Sequence, residues 1–223
     1  MLVKRMKDLH LGLIQNIPGS FGYELRYNYY KKRLKYLGND VRIDVNVLID
    51  RPEYVSINDR CAIDRGTIIL AGPDSTDREK TLLENHPYAG SPGEVIIGRG
   101  VHISPYCIVS GKSGGICIGD YSGLSAKVTI HSFSNHYRSN KNKSDTGICF
   151  TPLVEQNKQA MISGPVVLAE NVGVALNAVI LPGTFIAKNS FVSINSVVLP
   201  GSRFSENTII GGNPAKAIGR RFI

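Results

Sequence analysis

Five histidines, His10, His86, His102, His131 and His136, are the side chains best suited to move a proton near neutral pH. His131 and His136 bound the run HSFSNH, where an aliphatic pattern stops and a polar, basic stretch begins. A histidine at such a junction can titrate near neutrality and accept a proton from a substrate. The pair also has HxxxxH spacing, and with His102 from farther upstream it offers a three-histidine metal set. Covalent catalysis finds little support. GxSxG is absent, and SAKVTIHSFSNH has no serine–histidine order of the kind that builds a nucleophile elbow. The four cysteines include no CxxC pair, which excludes a zinc ribbon, and they are too few for a disulfide scaffold.

The elements that must position these histidines show themselves as a repeat of six residues. Leu168, Val174, Ile180, Ile186, Val192, Val198, Phe204 and Ile210 fill eight successive sixth positions. Small or β-branched residues follow four places after the first seven, from Val172 and Ala178 to Thr208. The same phase runs upstream through Ile43 and Ile49, then Ile57, Ile63 and Ile69, then Ile97, Ile103 and Val109, then Ile118, Leu124 and Ile130. Cys61 and Cys107 fall on the small position, so they read as buried fillers. Six residues make one short strand and one tight turn. Three such units close a triangular coil, and the aliphatic residue stacks inward on its counterpart in the next coil. Nineteen hexads give about six coils and a prism ~30 Å long at the spacing of hydrogen-bonded strands.

The repeat fails over residues 71–94, 110–115 and 131–165. Insertions in a solenoid map to loops, and loops carry function. The largest carries Arg138, Lys141, Lys143 and Lys158, and His131 and His136 stand at its root.

The repeat is similar to that of the hexapeptide-repeat acyltransferases. The segments NVGVALNAVILPG (171–183) and GGNPAKAIGRR (211–221), and the opening PGSFGYELRYNYYKKRLKYLG, resemble the sugar and polysaccharide O-acetyltransferases within that family. The resemblance implies an all-β fold, a left-handed parallel β-helix over residues 41–216. A basic, Tyr-rich helical segment (1–40) precedes it and a basic tail (217–223) follows. It also implies acetyl transfer from acetyl-CoA to a hydroxyl of a sugar or polysaccharide precursor, in a homotrimer and with no metal. By the family's spacing from Gly119-Asp120, His136 is the expected general base, with His131 as the second choice or as an acceptor contact. Matching VSINDRCAIDRGT by hexad phase puts Asp64 or Arg65 near the acceptor, joined by Tyr137 and Arg138 from the loop. A turn aspartate at a coil corner explains Asp64 equally well. The resemblance seats the pantetheine arm along small corner residues, Ala175, Ser193 and Gly211, and its phosphates on Lys216, Arg220 and Arg221. Many members have tryptophan where this chain has Gly173, and the chain has no tryptophan, so a wider pocket filled by the loop is expected.

Composition sets the outer limits. The 223 residues are 42% hydrophobic and 20% charged, which suits a folded domain with a sizeable core. No run of about 18 apolar residues marks a membrane span, and no signal-peptide pattern opens the chain. The expected location is therefore cytoplasmic. The formal charge is +8, and residues 1–37 hold +6 of it, interleaved with five of the ten tyrosines. That pattern fits a solvated helical face or contact with an anionic membrane surface better than nucleic acid. The acceptor can be a sugar, a nucleotide sugar or a lipid-linked saccharide. Three other readings share the fold: N-acetylation of an amino-sugar nucleotide, a γ-class carbonic-anhydrase-like zinc protein, and a non-catalytic assembly subunit.

Overall fold

The computed structural model describes residues 10–83 and 87–222, so His86 and the basic residues Lys4, Arg5 and Lys7 lie outside the described residues. The hexads wind into a left-handed parallel β-helix with three sheets as its faces. One circuit runs from Val55–Ile57 in the first sheet to Ala62–Ile63 in the second and Ile68–Leu70 in the third. The next runs through Val95–Ile97, His102–Ile103 and Ile108–Ser110, each strand parallel to and in register with the one before. The first strand is Tyr36–Leu37, one face ahead of the first hexad in the sequence count. Inward residues stack in columns: Ile57, Ile63, Ile69, Ile97, Ile103 and Val109 are all essentially inaccessible to solvent. Burying each such side chain contributes ~1.5–3 kcal/mol.

Turn chemistry repeats with the same period. Asn171, Asn177, Asn189, Asn195 and Asn207 adopt left-handed backbone, and Gly183 and Gly201 take the intervening corners. Asparagine and glycine tolerate this conformation, which costs other residues ~1–2 kcal/mol. Cys61 and Cys107 are buried, their thiols bonded to the carbonyls of Gly98 and Ser125. Burial pushes the Cys107 thiol up to about 11, so it stays protonated.

Both ends of the prism carry a capping element. The helix Gly19–Lys31 lies under the first coil. Its Arg26 is fully buried and donates to the carbonyls of Ile43 (2.6 Å), Ile14 (2.9 Å) and Ile17 (2.7 Å). Tyr30 and Leu34 join the core. At the other end the expected tail is instead a strand: Ala215–Arg220 folds back antiparallel on Thr208–Gly212. The last rung of the second sheet would otherwise present open N–H and C=O groups, and the returning strand covers them there.

The two long insertions leave from the corner between the third and first sheets. They meet in a small fourth sheet, ordered Phe133–Asn135, Ala160–Ser163, Glu79–Leu82. The first pair is antiparallel and the second parallel.

Candidate functional site

His131 ends its strand in the third sheet, opposite Ser110. It is half-buried, and burial holds its imidazole below the ordinary histidine pKa, so it is neutral at pH 7. Ser132 is fully buried; its hydroxyl donates to Lys112 O (2.9 Å) and accepts from Gly115 N–H (3.1 Å). That pins the root of the loop to the coil below it.

His136 lies five residues on, at the edge of the fourth sheet. Its backbone N–H donates to Ala160 O (2.8 Å). Its Nδ1 is 2.6 Å from Arg138 O. A carbonyl only accepts, so Nδ1 carries a proton, and of the two neutral tautomers the contact selects the one with its lone pair on Nε2. The Tyr137 ring lies 4.6 Å from the imidazole, and the Arg138 guanidinium sits 5.2 Å from the Tyr137 ring centre. The chain beyond is held by Glu79. Its carboxylate accepts from Ser139 Oγ (2.7 Å) and from the N–H groups of Asn140 (2.6 Å) and Lys141 (3.1 Å). One inserted segment thus fastens the other beside His136.

Asp64 and Arg65 are elsewhere, at the corner between the second and third sheets. Asp64 does not meet His136. Its carboxylate takes His102 Nε2 at 2.8 Å, and Arg65 faces Asp44 at 3.4 Å. His102 enters the sequence reading only through the metal set, and its partnership with Asp64 is missed there. The two residues are 38 apart but occupy neighbouring rungs once the 71–94 insertion is removed, and hexad phase carries that signal.

Asp64 stands one rung above Asp44 in a column that continues through Ser104, Ser125, Ala175, Ser193 and Gly211. Each residue from Asp64 to Ser193 in this column donates its backbone N–H to the rung above at 2.8–2.9 Å. The proposed acceptor aspartate and the three small donor-groove residues therefore share one edge. The terminal cations divide. Lys216 pairs with Gly211 beside this column. Arg220 pairs with Thr208, and Arg221 reaches Asn189 and Asn207 on the opposite side of the second sheet. The space over Gly173 is filled by Phe191 and not by the loop: a β-carbon on Gly173 would fall 2.8 Å from the Phe191 ring. Among the described residues no three of His, Cys, Asp and Glu come together to hold a metal ion. His102 and His131 belong to different sheets. No described helix is long and apolar enough to cross a membrane.

No family model matches the sequence, and a search among curated proteins finds no match. Solved structures do match the fold. A variant of AntD, an N-acyltransferase from Bacillus cereus in complex with dTDP and coenzyme A, aligns with a TM-score of 0.69 and 20% identity, over 87% of this chain and 88% of that one. A hexapeptide-repeat acetyltransferase from Vibrio cholerae O1 biovar eltor, complexed with acetyl-CoA, gives 0.56 and 18%, over 98% and 89%. A maltose O-acetyltransferase from Clostridium difficile 630 gives 0.57 and 18%, over 98% and 87%. The fold is that of the hexapeptide-repeat acyltransferases.

Proposed function

We propose that the protein transfers an acetyl group from acetyl-CoA to a hydroxyl of a sugar or polysaccharide precursor. The observation that carries this reading is His136: its Nδ1–H is tied to Arg138 O, and its Nε2 is left to accept a proton on an acyltransferase fold. In the proposed step, Nε2 takes the hydroxyl proton as the oxygen attacks the thioester carbonyl. A backbone N–H at a coil corner steadies the oxyanion. Collapse of the tetrahedral intermediate breaks the C–S bond, and the imidazolium returns its proton to the departing thiolate. A positioned base of this kind is worth ~10²–10⁴ in rate. The neutral, half-buried His131 serves as an acceptor contact or a second base, and Tyr137 and Arg138 complete the loop side.

Ala175, Ser193 and Gly211 give the pantetheine arm a shallow edge to follow, with Lys216 beside it for its phosphates; Arg220 and Arg221, on the opposite side of the second sheet, are not placed to join it. Asp64 and Arg65 stand farther down that edge. His136 is at a different corner of the prism, so the reaction needs the loop of one subunit to meet the column of the next. A closed trimer supplies that contact three times. The +6 charge of residues 1–37 supports a peripheral membrane contact on the cytoplasmic side, which would suit a lipid-linked acceptor.

N-acylation of an amino-sugar nucleotide is the second reading. It is favoured by the higher TM-score of the Bacillus cereus N-acyltransferase. Thiol release from acetyl-CoA, measured against matched hydroxyl and amino sugars, nucleotide sugars and lipid-linked oligosaccharides, tests both. Release with hydroxyl acceptors supports the first reading, and release with amines alone supports the second. Release with none defeats both.

A further inference from the structure

The second sheet has an unusual outer face. Over its five middle rungs the outward residues are Ala62, His102, Gly123, Gly173 and Phe191. Two successive rungs therefore carry no side chain, and a side chain rises at each boundary. Phe191 is 41% exposed and lies over Gly173, so the opening stands above Gly123. A β-carbon built on Gly123 meets nothing within 4 Å. His102 forms the other wall, held by its Nε2 contact of 2.8 Å with Asp64. Ser104 and Ser125 line the side nearest the corner column, in a cleft of about 250 Å3.

The walls differ in chemistry. One is an exposed aromatic ring. The other is an imidazole–carboxylate pair flanked by two hydroxyl residues. A pyranose has the matching division, with C–H groups on its faces and hydroxyls around its rim. Few polar groups opposite an aromatic surface fix orientation while the apolar contact supplies area. The volume falls below the ~300 Å3 typical of the smallest drug-sized sites, which suits one sugar ring and not a chain. The cleft also borders Ser104 and Ser125, which share a column with the proposed donor edge, so a ring seated there has its rim hydroxyls beside the thioester path.

We infer that the trough bounded by His102 and Phe191 over Gly123 is a saccharide subsite that seats one hexopyranose ring. Asp64 fixes the His102 ring, and His102 hydrogen-bonds the sugar as a positioning residue. The subsite's role as the acceptor's seat rests on the acyl-transfer reading; its ability to bind a sugar does not.

Gly123→Val tests this with little risk to the fold. The position is in a strand, its backbone is open to an ordinary side chain, and the added methyls enter empty space. Methyl β-glucopyranoside, methyl β-galactopyranoside and their 2-acetamido counterparts would be titrated into the 15N-labelled full chain. Amide shifts near residues 123 and 173 report occupancy. Wild type should show saturable shifts with at least one of them, Gly123→Val should show none, and Phe191→Ala should bind ~10-fold more weakly. In turnover assays, Gly123→Val and His102→Gln should raise acceptor KM ~10-fold or more while kcat and donor affinity hold. No saturable shift in wild type, or unchanged binding in Gly123→Val, overturns the subsite. A His102→Gln protein that loses kcat at constant KM overturns the positioning role. If acyl transfer is absent but sugar binding is lost in Gly123→Val, the subsite stands and the proposed reaction falls. Normal turnover with unaltered KM in Gly123→Val has the opposite meaning.

Discussion

Replacing Glu79 should unfasten the loop that carries His136 without unfolding the prism. Burial raises the Glu79 pKa, but bonds from Ser139, Asn140 and Lys141 outweigh it and hold the carboxyl below its ordinary value. Hydrogen bonds to a charged group contribute ~1.5–3 kcal/mol each when buried. Glu79 is only half-buried, and screening brings the three together to about 2 kcal/mol. That is roughly 30-fold in the balance between fastened and released loop. In Glu79→Ala the amides of Asn140 and Lys141 should exchange with solvent ~30-fold faster, and turnover should fall by up to the same factor. Glu79→Gln should fall between, because one of its two acceptors becomes a donor facing another donor. Global unfolding should move by less than about 0.5 kcal/mol, since no core residue is touched. The folded pKa is depressed, so the fastening is present above the ordinary value of 4.5 and is lost as pH falls toward the folded value. Wild-type amide protection and turnover in Glu79→Ala would refute the reasoning.

Three other outcomes follow. Because burial lowers the His131 pKa, the unfolded chain binds that proton first as pH drops below about 6.5; stability should decline there, and urea titrations of His131→Gln should show a shallower decline. Asn177→Val should cost ~1–2 kcal/mol and Asn177→Gly far less, because φ is +57° at that corner; thermal melts that rank the two equally would contradict the left-handed turn. Light scattering should give three times the 24.3 kDa chain mass at micromolar concentration, and a monomer would remove the shared site.

The hexads are legible because every inward residue answers to the one above it, so Ile103 and Ile130 announce themselves by spacing alone. The corner asparagines carry the same period, and Asn171, Asn177, Asn189, Asn195 and Asn207 would have marked the turns as clearly as the aliphatics mark the faces. The returning strand Ala215–Arg220 also has a local sign, since the GGNP just before it is turn chemistry. The fourth sheet has none. Glu79–Leu82 pairs with Ala160–Ser163 across some 80 residues, and no local pattern sets such a partnership. The site divides in the same way. His131 and His136 are visible because the repeat breaks beside them. The Asp64–His102 pair is hidden because an insertion separates two rungs that touch in space.

The proton acceptor is the centre of the account, and one comparison tests it most directly. Acetyl-CoA thiol release would be followed for wild type and His136→Ala on the best acceptor found, at saturating donor. The expected result is that kcat falls ~10²–10⁴-fold in His136→Ala while donor affinity holds, because the C-terminal coils and not the imidazole grip the donor. A His136→Ala protein that turns over at the wild-type rate would contradict it.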